Sequence, residues 1–242
     1  MNKKIIILVG DSWPQGEIDE VDNIFHGGMG EYLVDYGYDI RNLSFPSGSN
    51  LQAYTRLKHY LNCNKHELKY IKEVLFFKTE FFREIYFYKQ VELQDELKKG
   101  YTQIKNDWAN IPYYKLSELS QKTRIPISII GGCSDALILP NEPPGVHVVC
   151  QSWSNYMISG NHLIDEPVLT EYINGWVDPF LNLVKPNMSN YDLNELNNDI
   201  ELGTQRINKM YEYNQYFGPD PIHPNRLGHK MLFDFLIDKM NL

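Results

Sequence analysis

Residues 4–17 read KIIILVGDSWPQGE: five consecutive aliphatic residues, a glycine, then Asp11, Ser12 and a proline-containing turn. A short, wholly apolar run bounded by turn residues fits a strand buried on both faces, the kind found inside parallel sheets. Four more such runs follow: YDIRNLS (38–44), EVLFFK (73–78), IPISIIGG (125–132) and GVHVVCQS (145–152). Helical patterns separate them at HGGMGEYLVDYG (26–37), NLQAYTRLKHYL (50–61), 89–111 and 114–123. Strand and helix alternate, so the expected fold class is α/β: about five parallel strands with helices on both faces and ligands at the carboxyl ends of the strands. Ser12 sits just beyond one of those ends.

A last helix is expected over 225–240, with Leu227, Met231, Leu232, Phe235 and Leu236 on its apolar face. Between the fifth strand and this helix lies a polar and aromatic insertion, about 153–218, with helical patches such as DLNELNNDIELGTQRINKMYEYN. Neither a composition shift nor a linker divides the 242 residues, so 1–242 reads as a single domain whose insertion shapes a substrate site.

With 43% hydrophobic and 22% charged residues the chain has enough apolar material for a core. The net charge of −8 lacks the basic footprint of a nucleic-acid binder. Cys63, Cys133 and Cys150 are odd in number and widely spaced, which suggests buried thiols in a reducing compartment rather than disulfides or zinc ligands. The run IIILV is too short for a signal-peptide core, and no stretch reaches the roughly 18 apolar residues of a membrane span. A cytoplasmic protein is expected.

Two blocks at opposite ends of the chain carry the candidate chemistry: GDSWPQG (10–16) and GPDPIHPNRLGH (218–229). A serine hydroxyl becomes a useful nucleophile when an imidazole takes its proton and a carboxylate fixes the imidazole tautomer. Ser12, His223 and Asp220 supply those three groups. On their own, Ser12 also suits a helix N-cap, and Asp220 with His223 an Asx turn before a proline.

Taken together, the blocks resemble the GDSL-type esterases and lipases of the SGNH hydrolase superfamily, and the likeness of architecture spans nearly the whole chain. That resemblance implies a flavodoxin-like three-layer α/β/α sandwich with Ser12 as nucleophile, His223 as base and Asp220 as its orienter. Gly16 matches the family's glycine four residues after the serine. It implies no metal or organic cofactor and a small-molecule or carbohydrate ester as substrate, with deacetylation or short-chain ester cleavage favoured. In NLSFPSGSN (42–50), Gly48 matches the family glycine whose backbone N–H helps hold the oxyanion.

The third family block, Gly-x-Asn-Asp after the third strand, is replaced by VLFFKTEFFRE (74–84). Loss of one oxyanion donor costs roughly 100- to 1,000-fold in rate, so a substitute is expected. Thr79 is the first choice, with Lys78 and a protonated Glu80 behind it; Glu80 is alternatively a partner for Arg83. Three other readings are carried forward. One is a non-catalytic binding module that has lost the third block. Another is an α/β-hydrolase elbow at GGCSDA (131–136), with Ser134 as nucleophile. The weakest is a flavodoxin-like nucleotide binder. The string SGNH at 159–162 is coincidental, because the family's four residues come from separate blocks. His26, His59, His66, His147, His162 and His229 read as surface or structural histidines. The aromatic run 76–88, together with Tyr156, Tyr172 and Trp176, is open to either pocket-lining or packing roles.

Overall fold

The computed structural model describes residues 4–19, 24–86, 90–170, 177–218 and 222–240. Asp220, Tyr172 and Trp176 lie outside the described residues. The expected strands are present as β1 (Ile5–Val9), β4 (Asp39–Asn42), β5 (Ile71–Lys78), β6 (Ile127–Gly131) and β7 (Val146–Cys150). A short antiparallel hairpin, β2 (Glu17–Asp19) with β3 (Ile24–His26), interrupts the order just after the Ser12 turn. The five long-range strands form one parallel sheet in the order β4-β1-β5-β6-β7. Chain direction across the sheet reverses between β1 and β5. In such sheets the ligand crevice opens at this switch point, beyond the carboxyl ends of the two strands.

Side-chain alternation divides the core. Ile6, Leu8, Leu75, Phe77 and Ile130 pack on one face against α1 (Met29–Asp35), α5 (Trp153–Ser159) and α8 (Arg226–Met240). Ile5, Ile7, Val9, Val74, Phe76, Ile127 and Ile129 face α2 (Asn50–Cys63) and α4 (Tyr101–Thr123). A period of two with both faces covered explains why these strands read as unbroken apolar runs, and the result is a three-layer α/β/α arrangement.

Two helix expectations change. The segment expected as two helices, 89–111 and 114–123, is instead α3 (Gln90–Leu97) followed by one long α4 that carries Pro112 within it. The break falls at Gly100, whose φ of 83° is open to glycine, and Pro112 is accommodated inside α4. In α8 the buried residues are Gly228, His229, Leu232, Phe233, Phe235 and Leu236, so Leu232, Phe235 and Leu236 face the core as expected while Leu227 is exposed. In the insertion the expected helical patches are present as α5, α6 (Asp178–Val184) and α7 (Asn190–Glu212).

Phe180, Leu181, Val184 and Leu196 of the insertion build a third apolar cluster with Phe81, Phe82, Tyr101 and Trp108. The aromatics Phe76, Phe77, Phe81 and Phe82 are therefore core residues. Ser189 caps α7 in a capping box with Asp192, whose carboxylate also accepts the Thr102 N–H at the start of α4, a bond that holds it down to about 2. Cys133 and Cys150 are buried as expected, but Cys63 is exposed. Among the described residues no helix is long and apolar enough to cross a membrane.

Candidate active site

β1 delivers Ser12 to the crevice through a tight turn. Gly10 is required there because a Cβ would fall 2.7 Å from Phe77 Cβ on β5. Gly16 closes the turn at φ 115°, where a Cβ would meet the His26 carbonyl at 2.4 Å. Ser12 precedes a 3₁₀ turn at Trp13–Gln15, yet its hydroxyl caps nothing. Asp11 takes that role, its Oδ1 accepting the Trp13 N–H at 3.0 Å. The Ser12 hydroxyl points instead to His223, with 2.8 Å between Oγ and Nε2 across 211 residues of chain. The hydroxyl is thus engaged with an imidazole and not with the start of the 3₁₀ turn.

His223 sits on a pinned loop between α7 and α8. Its carbonyl accepts the Gly218 N–H at 2.7 Å, and Phe217 bridges Pro224. Asn225 Nδ2 donates to the carbonyls of Gln215 and Phe217, while its Oδ1 accepts the Gly228 N–H and so caps α8. His229 lies below. Its Nδ1 accepts the Met29 N–H, its ring meets Trp153 edge-on, and burial, reinforced by His26 and His223, pushes it down to about 3. It is a structural histidine held neutral, and its stabilising effect is lost as pH falls from 6.5 toward 3.

The oxyanion side differs from expectation. The Ser12 N–H meets no acceptor among the described residues. Gly48 is buried beside the end of β1, where the Phe45 N–H donates to the Gly10 carbonyl. However, the Gly48 N–H donates to the Phe45 carbonyl at 3.0 Å, closing a turn through Pro46 and Ser47, the latter at φ 59°. Thr79 does not offer its proton either: its hydroxyl donates to Asp11 Oδ2 at 2.8 Å. Lys78 is fully buried and donates to Ser134 Oγ and to the Asp135 carbonyl. Burial pushes that ammonium down to about 8 against the pull of Asp135, Glu84 and Glu80. Glu80 pairs with Arg83 at 2.5 Å, the alternative foreseen for it.

Ser134 is buried too. Its hydrogen bonds among the described residues are to Lys78 and its neighbour Asp135, and none is to a histidine, so the elbow reading has no base there. Asp135 instead forms a two-pronged pair with Arg206 of α7 at 3.1 and 3.2 Å, and Arg206 also donates to Ser152 and Ser154.

No family model matches the chain, and no curated protein matches its sequence. Among solved structures it is similar to the psychrotrophic esterase EstA from Pseudoalteromonas sp., covering 99% of this chain and 97% of that one at 11% identity and a TM-score of 0.42. The lipase Lip_vut3 from a goat rumen metagenome is similar over 98% of this chain and 97% of its own, at 11% identity and a TM-score of 0.46. For TesA the figures are 98% and 98%, with 14% identity and a TM-score of 0.39.

Several site residues escaped the sequence reading. Asp11, Asn50, Cys133 and Glu84 carry much of the buried polar network around the Ser12 turn. A usable signal was present: charged residues Lys78, Glu80, Arg83 and Glu84 stand among phenylalanines, and buried charge must be paired. Glu84 is wholly buried and accepts the Leu51 N–H at the start of α2. Burial pushes its carboxyl up to about 7, against hydrogen bonds from Ser49, Leu51 and Asn50. Because the folded state holds this proton more tightly than the unfolded chain, the associated stability is present below about 4.5 and is lost as pH rises through 7. Glu84→Gln removes this dependence. The stability difference between wild type and variant is expected to move toward the variant by on the order of 2–3 kcal/mol between pH 4.5 and 7.5, read by urea unfolding at both pH values.

Proposed function

We propose that this protein is a serine hydrolase of the SGNH type that cleaves a carboxylic ester. The carrying observation is the 2.8 Å approach of Ser12 Oγ to His223 Nε2 at the carboxyl end of β1, on the sheet's switch point. Ser12 Oγ attacks the ester carbonyl carbon while its proton passes to His223 Nε2. The carbonyl π electrons move to the oxygen, which the Ser12 N–H is assigned to receive. As the tetrahedral intermediate collapses, the C–O bond to the alcohol breaks and His223 returns the proton to the departing oxygen. Water then attacks the acyl-serine with His223 as base again, which releases the acid and restores Ser12. Asp220, three residues before His223, is assigned the orienting role. The Gly48 N–H joins the oxyanion site when it leaves the Phe45 carbonyl.

A short acyl group, acetyl above all, fits what lies under the nucleophile. Trp153 meets Trp13 edge-on at 5.2 Å and Phe77 at a tilt at 5.8 Å, and all three rings, Trp13 being the residue next to Ser12, are buried. A sugar acetate or another small ester is the substrate class in this reading. The unit 1–242 acts as one domain, with the insertion at 153–218 bordering the site. A non-catalytic binding module on the same fold is the second reading, favoured by the engagement of the Gly48 and Thr79 donors with protein acceptors.

A series of p-nitrophenyl esters from acetate to decanoate tests the proposal. The acetate is expected to give the highest kcat/KM, with a decline of at least about tenfold by octanoate. Hydrolysis of none of them by folded protein contradicts the ester-hydrolase reading, and a long-chain preference contradicts the short-acyl assignment.

A further inference from the structure

The segment that replaces the family's third block does not point its polar groups at the substrate crevice; it grips the two loops that form it. On one side is the nucleophile turn. Asp11 is fully buried, and its Oδ2 receives the Thr79 hydroxyl at 2.8 Å and the Cys133 thiol at 2.9 Å, with Arg83 Nη1 at 3.6 Å. Its Oδ1 holds the Trp13 N–H, so this one carboxylate fixes the backbone on both sides of Ser12. On the other side is the 48–50 loop. Asn50 is fully buried and pairs with the Thr79 backbone in both directions, Nδ2 donating to the carbonyl at 2.9 Å and Oδ1 accepting the N–H at 3.0 Å. Glu84 adds a further tie at the Leu51 N–H.

We infer that Thr79 is a positioning residue that locks the Ser12 turn, through Asp11, to the Gly48–Asn50 loop, so that residues 79–84 brace the site in place of donating to the oxyanion. This inference rests on Ser12 being the nucleophile. Its physical basis is that displacement of a reacting group by about 1 Å costs on the order of 100-fold in rate, while a hydroxyl with three staggered rotamers holds no fixed place unless its backbone is fixed. Thr79 bonds the Ser12 turn through its side chain and Asn50 through its main chain. Its removal therefore uncouples the two without touching substrate. Cys133 supports the same Asp11 oxygen from the end of β6.

The test compares Thr79→Val, which keeps the shape and loses the hydroxyl, with Thr79→Ser, which keeps the hydroxyl. Steady-state hydrolysis of p-nitrophenyl acetate and the second-order rate of fluorophosphonate labelling are measured, with melting followed separately. Thr79→Val is expected to lower kcat and the labelling rate by roughly 10- to 100-fold with KM within about twofold. Thr79→Ser is expected to restore both to within about threefold of wild type. If Thr79→Val fails to fold, Cys133→Ala and Cys133→Ser repeat the comparison at the other donor, with a loss of about three- to tenfold for Ala and recovery for Ser.

Folded Val and Ala variants that react like wild type overturn the inference, as does a loss that appears in KM alone or that the Ser variants fail to recover. These outcomes are distinct from failure of the ester-hydrolase reading. That reading fails when wild type takes no label and hydrolyses no ester, and the positioning role falls with it.

Discussion

Ser12→Ala is expected to reduce kcat for p-nitrophenyl acetate by about 10⁴- to 10⁶-fold, leaving the fold and melting temperature nearly unchanged. The expectation follows from the local structure. The Ser12 hydroxyl caps no helix and its bond is to His223 Nε2, so alanine removes the nucleophile and little else. The turn around it is fixed by the Asp11 contact to Trp13 and by Pro14, and neither depends on the hydroxyl. His223→Gln is expected to fall into the same range, because the serine proton then has no base to receive it. The two losses do not add: Ser12→Ala with His223→Gln is expected to be no slower than Ser12→Ala alone within about threefold, since the groups act as one unit. Additive losses, or a Ser12→Ala variant with more than about a tenth of wild-type kcat, contradict the assignment.

Asp135→Ala is expected to give the largest loss of stability, about 3–5 kcal/mol. Arg206 and Asp135 are both buried, and their paired contacts join the insertion's α7 to the loop after β6. Without the carboxylate, the guanidinium retains Ser152 and Ser154 as neutral acceptors and keeps an uncompensated charge in the core. Asp135 Oδ2 also accepts the Val168 N–H at 2.7 Å, so alanine orphans a second donor. For a chain of this size the loss corresponds to a fall in melting temperature of roughly 6–20 °C by calorimetry. Asp135→Asn with Arg206→Met together is expected to cost less than Asp135→Ala, because the unpaired charge is gone. A double variant less stable than the single one contradicts this account.

The sheet was legible because its strands are buried on both faces, which turns a period of two into continuous runs such as IIILV and VLFF. Helix boundaries were less so. Pro112 is the stronger local signal, but α4 tolerates it while packing Trp108, Tyr113 and Leu116 into two apolar clusters, and Gly100 sets the break. The β2-β3 hairpin carries three-residue strands, too short for an alternation pattern to register.

At the site, Ser12 and His223 were legible as a candidate pair from two separate blocks, and the structure brings their side chains together, while Asp220 lies outside the described residues. The roles of Gly48 and Thr79 were not, since a motif gives residue types and no hydrogen-bond directions. Thr79 can donate to an oxyanion or to Asp11, and the choice depends on a carboxylate 68 positions earlier in the chain.

The central claim is tested most directly by mapping a fluorophosphonate adduct on the intact protein by mass spectrometry after trypsin digestion. The tryptic peptide 5–41 contains Ser12 as its only serine, so the site is read without ambiguity among serines. The account requires a single adduct on Ser12, absent from Ser12→Ala. An adduct on Ser134, or no adduct on folded protein, contradicts it.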